Sequence, residues 1–266
     1  MRGVPRPSVL VASAVVLVVA AWALAPGWFA DGDPLDGDVA QRLLAPGTEH
    51  WFGTDELGRD LFTRVVHGAG ASVGSASVAV LVALAVGATV GLVAGRSPGL
   101  VDDLLMRTAD VLLAVPSLLL ILVVVLSLGF GPVQVAVAIG LVASPAFARI
   151  MRNEVRRVQG RAFVDSARIS GVGEVRVMVG HVLPNAVGPV AAVATLELGN
   201  AVLAVATLTF LGFGAAPPAP EWGQLIAGGQ DHLATAWWLT TLPGLVVVAA
   251  VASVNHLGHL LRERAR

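Results

Sequence analysis

Residues 162–185, AFVDSARISGVGEVRVMVGHVLPN, form a polar, arginine-bearing insert between long apolar runs. Its internal order is specific. Phe163 and Ala167 lie one helical turn apart, and Asp165 and Arg168 stand at i,i+3, where opposite charges pair. Ser166 and Ala167 are small and allow a partner surface to approach closely. Gly171 and Gly173 break this first helix, and a second short amphipathic piece runs towards His181. Pro184 and Asn185 are expected to end it before the next apolar run begins. Two short helices joined at a glycine make a rigid knob, which transmits force where a loose loop cannot. A basic linker that merely touches anionic headgroups is the plainer alternative, but it would not require this order.

The rest of the chain reads as a membrane protein. Of 266 residues, 56% are apolar and 13% charged, about half the charge of an ordinary soluble domain; mean hydropathy is +0.79. Six segments approach the ~20 residues that a bilayer core requires of a helix: Val9–Phe29, Ser72–Gly95, Met106–Gly129, Val133–Ile150, Val190–Leu211 and Thr240–Leu260. The runs lack the alternation of barrel strands, so each must satisfy its own backbone as a helix. Gly87, Gly91 and Gly95 recur every four residues in the second segment, with Gly70 and Gly74 just before. That spacing marks close helix packing. The expected fold is all-α, with an N-terminal helix and polar segment over 1–71 and a five-helix core over 72–266 that carries the insert at about 151–189.

Charge sets an orientation. All 17 basic residues are arginine. With a cytoplasmic N-terminus, only Arg42, Arg59 and Arg64 fall outside, within the acidic segment Asp31–Asp60, and the loop Gly212–Leu239 has no arginine. This is the positive-inside asymmetry, and it puts both termini in the cytoplasm. Trp22, Trp28, Trp51, Trp222, Trp237 and Trp238 all fall near the outer side, as an interfacial belt would. Arg2 and Arg6 before the first apolar run resemble a secretory signal, but no small-residue cleavage site follows, so a retained helix is expected. There is no cysteine, which excludes disulfides and thiolate chemistry. There is no lysine either, so no Walker A phosphate cradle can form. Energy from ATP would have to come through another chain.

The sequence Asp165-Ser166-Ala167-Arg168-Ile169-Ser170-Gly171, followed by His181-Val182-Leu183-Pro184-Asn185, resembles the cytoplasmic "EAA" loop of permeases in binding-protein-dependent ABC importers. The likeness extends over roughly residues 50–260. Gly53-Thr54-Asp55-Glu56-Leu57-Gly58-Arg59-Asp60, Leu105-Met106-Arg107 through Pro116-Ser117-Leu118, Phe210-Leu211-Gly212-Phe213-Gly214 and Glu221-Trp222-Gly223 are similar to the smaller permease of the dipeptide, oligopeptide and nickel importers (DppC and OppC type). The resemblance implies a type I importer permease fold. It also implies that Phe163, Asp165, Ser166, Ala167, Arg168, Gly171, His181, Leu183, Pro184 and Asn185 couple to a separate ATPase. Where many relatives carry an acid, this chain has Val205; Glu197, two turns earlier, is expected to line the pathway in its place, together with Asn200, and the plainer alternative is a structural hydrogen bond between Glu197 and Asn200 or another helix. Asp55, Arg59, Asp60 and Trp222 are expected to meet the binding protein.

The implied function is half of a translocation pathway for dipeptides or oligopeptides, with nickel, haem or another small solute as alternative cargo. Implied partners are a second permease, two ATPase subunits that bind ATP and Mg, an extracytoplasmic binding protein and the lipid bilayer of the inner membrane. No nucleic acid is implied, and no cofactor, metal or catalytic residue in this chain. Asp110 is expected to pair with Arg107 one turn away, and His256 and His259, spaced i,i+3, are too few for a metal site. An intramembrane enzyme using Glu197, Asp110 and a histidine is the rival of another class. It would need two ionisable groups at one depth. A standalone channel is a third reading, and it would not need a rigid knob.

Overall fold

The computed structural model describes residues 7–264; the expectation for Arg2 and Arg6 lies outside them. Ten α-helices are named here: α1 Pro7–Leu24, α2 Leu61–Arg96, α3 Leu100–Ala114, α4 Ser117–Leu128, α5 Pro132–Gln159, α6 Ala162–Ile169, α7 Glu174–Val177, α8 Leu183–Phe210, α9 Trp222–Gly228 and α10 Trp238–Arg264. Among the described residues five helical stretches are long and apolar enough to cross a membrane: Pro7–Leu24, Leu61–Arg96, Pro132–Gln159, Glu174–Phe210 and Trp238–Leu260. Leu17, Leu81, Leu126 and Val248 on these helices and on α4 are more than half exposed, which suits contact with lipid.

The third expected segment differs. Met106–Gly129 is not one straight helix: α3 and α4 meet at a bend of 101°. The cause is Pro116, whose ring disfavours the helical conformation in the residue before it; Val115 is extended, with φ −84° and ψ 138°. A second correction concerns Pro184 and Asn185, which do not end a helix. The chain stays helical from Glu174 to Phe210 because Met178–Val182 widens into a π turn. A π turn gives the backbone slack around a proline that has no N–H to donate. Asn185 adds a side-chain donor to the His181 carbonyl at 2.7 Å.

α2 starts eleven residues before the expected Ser72. Asp60 explains the start: its carboxylate accepts the Thr63 N–H at 2.7 Å, an N-cap. At ~1.5 Å per residue the 36-residue helix is ~54 Å long, well beyond the ~30 Å hydrocarbon core. Pro145 lies inside α5, and the carbonyl it leaves unserved, that of Leu141, accepts the Ser144 hydroxyl at 2.8 Å.

The chain divides into two compact units. The first takes in residues up to Val78, with Leu128–Ala136 and Leu198–Leu257. Trp222 anchors it without any exposed surface: the indole N–H donates to the Val65 carbonyl at 2.9 Å and the backbone N–H to Ser72 Oγ at 3.1 Å. Trp238, 6% exposed, is likewise interior. These two tryptophans therefore support the protein rather than an interfacial belt, whereas Trp28, Trp51 and Trp237 are exposed.

The second unit comprises Ala79–Ser127, Val137–Glu197 and the residues from Gly258 on. Its core holds Phe147, Met151, Val155, Val158, Val164, Val177, Val182 and Val190. Within it α2 lies against α5 at backbone contact. A Cβ built on Gly87 would stand 2.5 Å from the Ser144 carbonyl oxygen, and one on Gly140 of α5 would stand 2.5 Å from that of Ala79. The four-residue glycine spacing thus marks a close helix crossing, as small residues do within lipid.

Candidate functional site

The insert forms a knob in the second unit, built from α6, α7 and the π turn. It is two-faced. Val164 and Val177 are fully or almost fully buried and join the core, and Ala167 packs partly against it. On the other side Phe163, Ile169, Val175 and Val179 are 41%, 88%, 66% and 60% exposed. Gly171 turns the chain between the helices at φ +82°, a conformation a side chain resists. Arg168 then ties the turn: its guanidinium lies 3.5 Å from Asp165 and 2.9 Å from Glu174. The i,i+3 pair anticipated from sequence is therefore present, and the shorter bond goes to Glu174, across the turn, which the sequence reading missed. Ser166, Pro184 and Asn185 are exposed, and His181 and Leu183 are half-buried.

A charged cluster also went unread. Asp102, 3% exposed in the first turn of α3, accepts Arg152 Nε at 2.5 Å, Arg152 Nη2 at 2.6 Å and Arg156 Nη2 at 2.6 Å. The carboxylate therefore clamps α3 to the end of α5 that leads into the knob. Two turns further along α3, Asp110 pairs with Arg149 of α5. This corrects the expected Asp110–Arg107 pair: the partner comes from the neighbouring helix α5 rather than from the preceding turn of α3. Glu197 is half-buried and Asn200 exposed on α8, and each is engaged in an interaction.

In the first unit the four expected docking residues have structural occupations. Asp55 accepts Arg59 Nε at 2.7 Å and the Leu57 and Arg59 N–H groups at 2.9 and 3.0 Å. Besides capping α2, Asp60 holds His50 at 2.8 Å, and His50 reaches Gln41 at 3.0 Å on its other nitrogen. Trp222 is buried, so it shapes this region without touching solvent. Its neighbour Glu221 is 2% exposed and accepts the Thr209 hydroxyl at 2.8 Å; burial pushes its carboxyl above the ordinary glutamate range, with the Thr209 and Ala215 hydrogen bonds opposing. Among the described residues no group of three or more His, Cys, Asp or Glu is placed to hold a metal ion.

Comparison with known proteins identifies the class to which a helical membrane chain carrying this insert belongs. Residues 87–266 match the family described as binding-protein-dependent transport system inner membrane component. The di/tripeptide transport system permease protein DppC of Pseudomonas aeruginosa is 40% identical over 255 residues, covering 93% of this chain and 84% of that one. The nickel transport system permease protein NikC of Escherichia coli is 36% identical over 97% of this chain and 93% of its own. In fold, a chain of the MetNI methionine ABC transporter superposes with a TM-score of 0.59 at 18% identity, covering 76% of this chain and 96% of that one. A chain of an amino acid ABC transporter with histidines gives 0.59 at 15%, covering 76% and 94%. This chain belongs to the inner-membrane components of binding-protein-dependent transport systems, the permease subunits of ABC importers.

Proposed function

We propose that this chain is one half of the translocation pathway of an importer for short peptides, moved by ATPase subunits that bind ATP and Mg themselves. The observation that carries the reading is the knob: anchored by Val164 and Val177, tied by Arg168, and exposing apolar Phe163, Ile169 and Val175 beside charged Asp165 and Glu174. Its exposed Phe163, Ile169 and Val175 offer a partner about the contact a hydrophobic groove accepts from a helix. Closure of two ATPase subunits would pull α6, and the Asp102 clamp would carry that motion from the end of α5 to α3. The chain itself catalyses nothing.

The peptide cargo is supported by the 40% identical relative named for di- and tripeptides. Nickel is the second reading, supported by a relative named for nickel transport that matches 97% of this chain. A second, similar permease and an extracytoplasmic binding protein complete the assembly in the inner membrane. The arginine asymmetry supports cytoplasmic termini. Glu197 faces the pathway in this reading, with Asn200 beside it on α8, and Asp55, Arg59 and Asp60 hold the surface that the binding protein meets.

Purification of the tagged chain from its native membrane, with identification of every co-purifying subunit and bound solute, tests the assembly. Recovery of a second permease and two ATPases, lost on Arg168→Glu, is the expected result. Recovery of the chain alone, folded and without ATPases, overturns it. For the pathway, Glu197→Gln should slow uptake and transport-coupled ATP hydrolysis; unchanged rates would remove Glu197 from it.

A further inference from the structure

A cavity of about 280 Å³ lies in the first unit between the segment Asp55–Arg64 and the α9 region. Two of the residues that line it carry buried polar atoms without a hydrogen-bond partner. Arg64, 4% exposed, donates from Nη1 to the Pro34 carbonyl at 3.2 Å, but its Nε has no hydrogen-bond acceptor. The nearest carboxylate oxygen, Asp55 Oδ2, stands 3.6 Å away and already accepts Arg59 Nε at 2.7 Å. Gln224 donates from Nε2 to the Ala215 carbonyl at 3.3 Å, leaving its buried Oε1 without a donor. Swapping the two amide atoms would face oxygen to oxygen at Ala215, so the free atom is the acceptor. Both residues line the same cavity. Buried polar atoms in native proteins nearly always find partners, and two such atoms at one cavity ask for an explanation.

The cavity far exceeds the ~10–15 Å³ that a single water needs, and Leu57, Leu61, Pro217, Leu225 and Leu239 give it apolar walls. Water alone suits such walls poorly. A carboxylate would answer Arg64 and set its second oxygen against Gln224 Oε1. A neutral amide answers both, with a carbonyl for the guanidinium N–H and an N–H for the glutamine oxygen. Exposed Glu56, Leu57 and Gly228 border the cavity, so it can be entered from solvent.

We propose that this cavity binds one peptide unit of an extended chain, its C=O on Arg64 Nε and its N–H on Gln224 Oε1, with the adjoining side chain among the leucines. The unit is supplied by a free short peptide or by a loop of a docking protein. The site depends neither on the knob nor on the identity of the cargo.

Two substitutions isolate it. A Cβ on Gly228, an exposed residue at the cavity's edge, meets nothing within 4 Å, so Gly228→Leu adds bulk at that edge without forcing the backbone. Gln224→Leu removes the acceptor. In the first arm the purified complex in nanodiscs, without ATP, is titrated with the dipeptide Ala-Leu and with its depsipeptide, whose ester oxygen replaces the peptide N–H. Fluorescence of the neighbouring tryptophans is the readout. The dipeptide should bind saturably; the depsipeptide and Gln224→Leu should each weaken binding about tenfold, as loss of a buried hydrogen bond does, and Gly228→Leu should weaken it by obstructing the cavity's edge. In the second arm the affinity of the purified binding protein is compared between wild type and Gly228→Leu. A loss confined to this arm assigns the peptide unit to a protein loop. If neither arm responds, in variants whose melting temperature matches wild type, the proposal is wrong. A failed coupling experiment would leave these titrations unaffected.

Discussion

Replacing Gly87 by alanine probes the packing that holds the second unit together. A methyl group there would lie 2.5 Å from both the Ser144 carbonyl oxygen and the Phe147 Cβ. Carbon and carbonyl oxygen normally approach to about 3.3–3.6 Å, so α2 and α5 must separate by roughly 1 Å. The carbonyl is backbone and cannot rotate away. Overpacking of this kind costs about 1–3 kcal/mol, while the helix itself gains up to about 1 kcal/mol from Gly→Ala. Gly74, on the same helix, supplies the control, because a Cβ there meets nothing within 4 Å. The propensity gain is common to both variants and cancels in their difference. Gly87→Ala should therefore be about 2 kcal/mol less stable than Gly74→Ala, which corresponds to roughly 4–8 °C in a chain of this size. Thermal unfolding of both variants in one detergent or nanodisc preparation measures it. Equal midpoints would refute the close-crossing argument, because the steric term would then be absent.

Glu221 predicts a pH dependence. Its carboxyl titrates above the ordinary value near 4.5 because it is buried, so the neutral form favours the folded state. The stability it contributes is complete below the unfolded value and is lost as pH rises through the folded one. Melting curves from pH 4 upwards should show this decline, and Glu221→Gln, which keeps an acceptor for Thr209, should flatten it. Asp102→Asn leaves Arg152 and Arg156 without their carboxylate. Breaking a buried pair costs about 3–5 kcal/mol, but these arginines are 23% and 39% exposed and can turn to water. A loss of about 1–3 kcal/mol is expected, against almost none for exposed Asp103→Asn; equal melting points would contradict the clamp. Gly171→Ala should cost about 1 kcal/mol through its positive φ alone, since a Cβ there meets nothing within 4 Å. Chemical denaturation checks it, and an unchanged midpoint would count against a strained turn.

Hydropathy made most of the helices legible, because a spanning helix writes its length directly into the sequence. What it could not show was where a span bends. Pro116 separates α3 from α4 at a bend of 101°, while Pro145, Pro189 and Pro243 lie inside continuous helices. The difference rests on what serves the freed carbonyl and on which neighbours hold the helix straight, and neither is local. The knob was legible at Asp165, Arg168 and Gly171, whose spacings are those of one turn. Glu174 was not, because its bond to Arg168 exists only after Gly171 reverses the chain. Asp102 finds its arginines fifty and fifty-four residues away, and Glu221 is buried by tertiary packing. Sequence spacing is silent on both. The acidic, tryptophan-bearing outer segments placed Asp55, Asp60 and Trp222 on a docking surface; their structural duties in a turn, at a helix cap and in the interior became visible only with their side-chain partners in place.

The central claim is that an ATPase moves this chain through the Asp165–Gly171 knob. The chain contains no cysteine, so Ser166→Cys, at an exposed position of α6, gives a single thiol for cross-linking to the co-purified ATPases. The account predicts an ATPase cross-link whose yield changes when ATP binds and which disappears when Arg168→Glu is added. A folded, transport-active complex that gives no ATPase cross-link from position 166, in any nucleotide state, would contradict it.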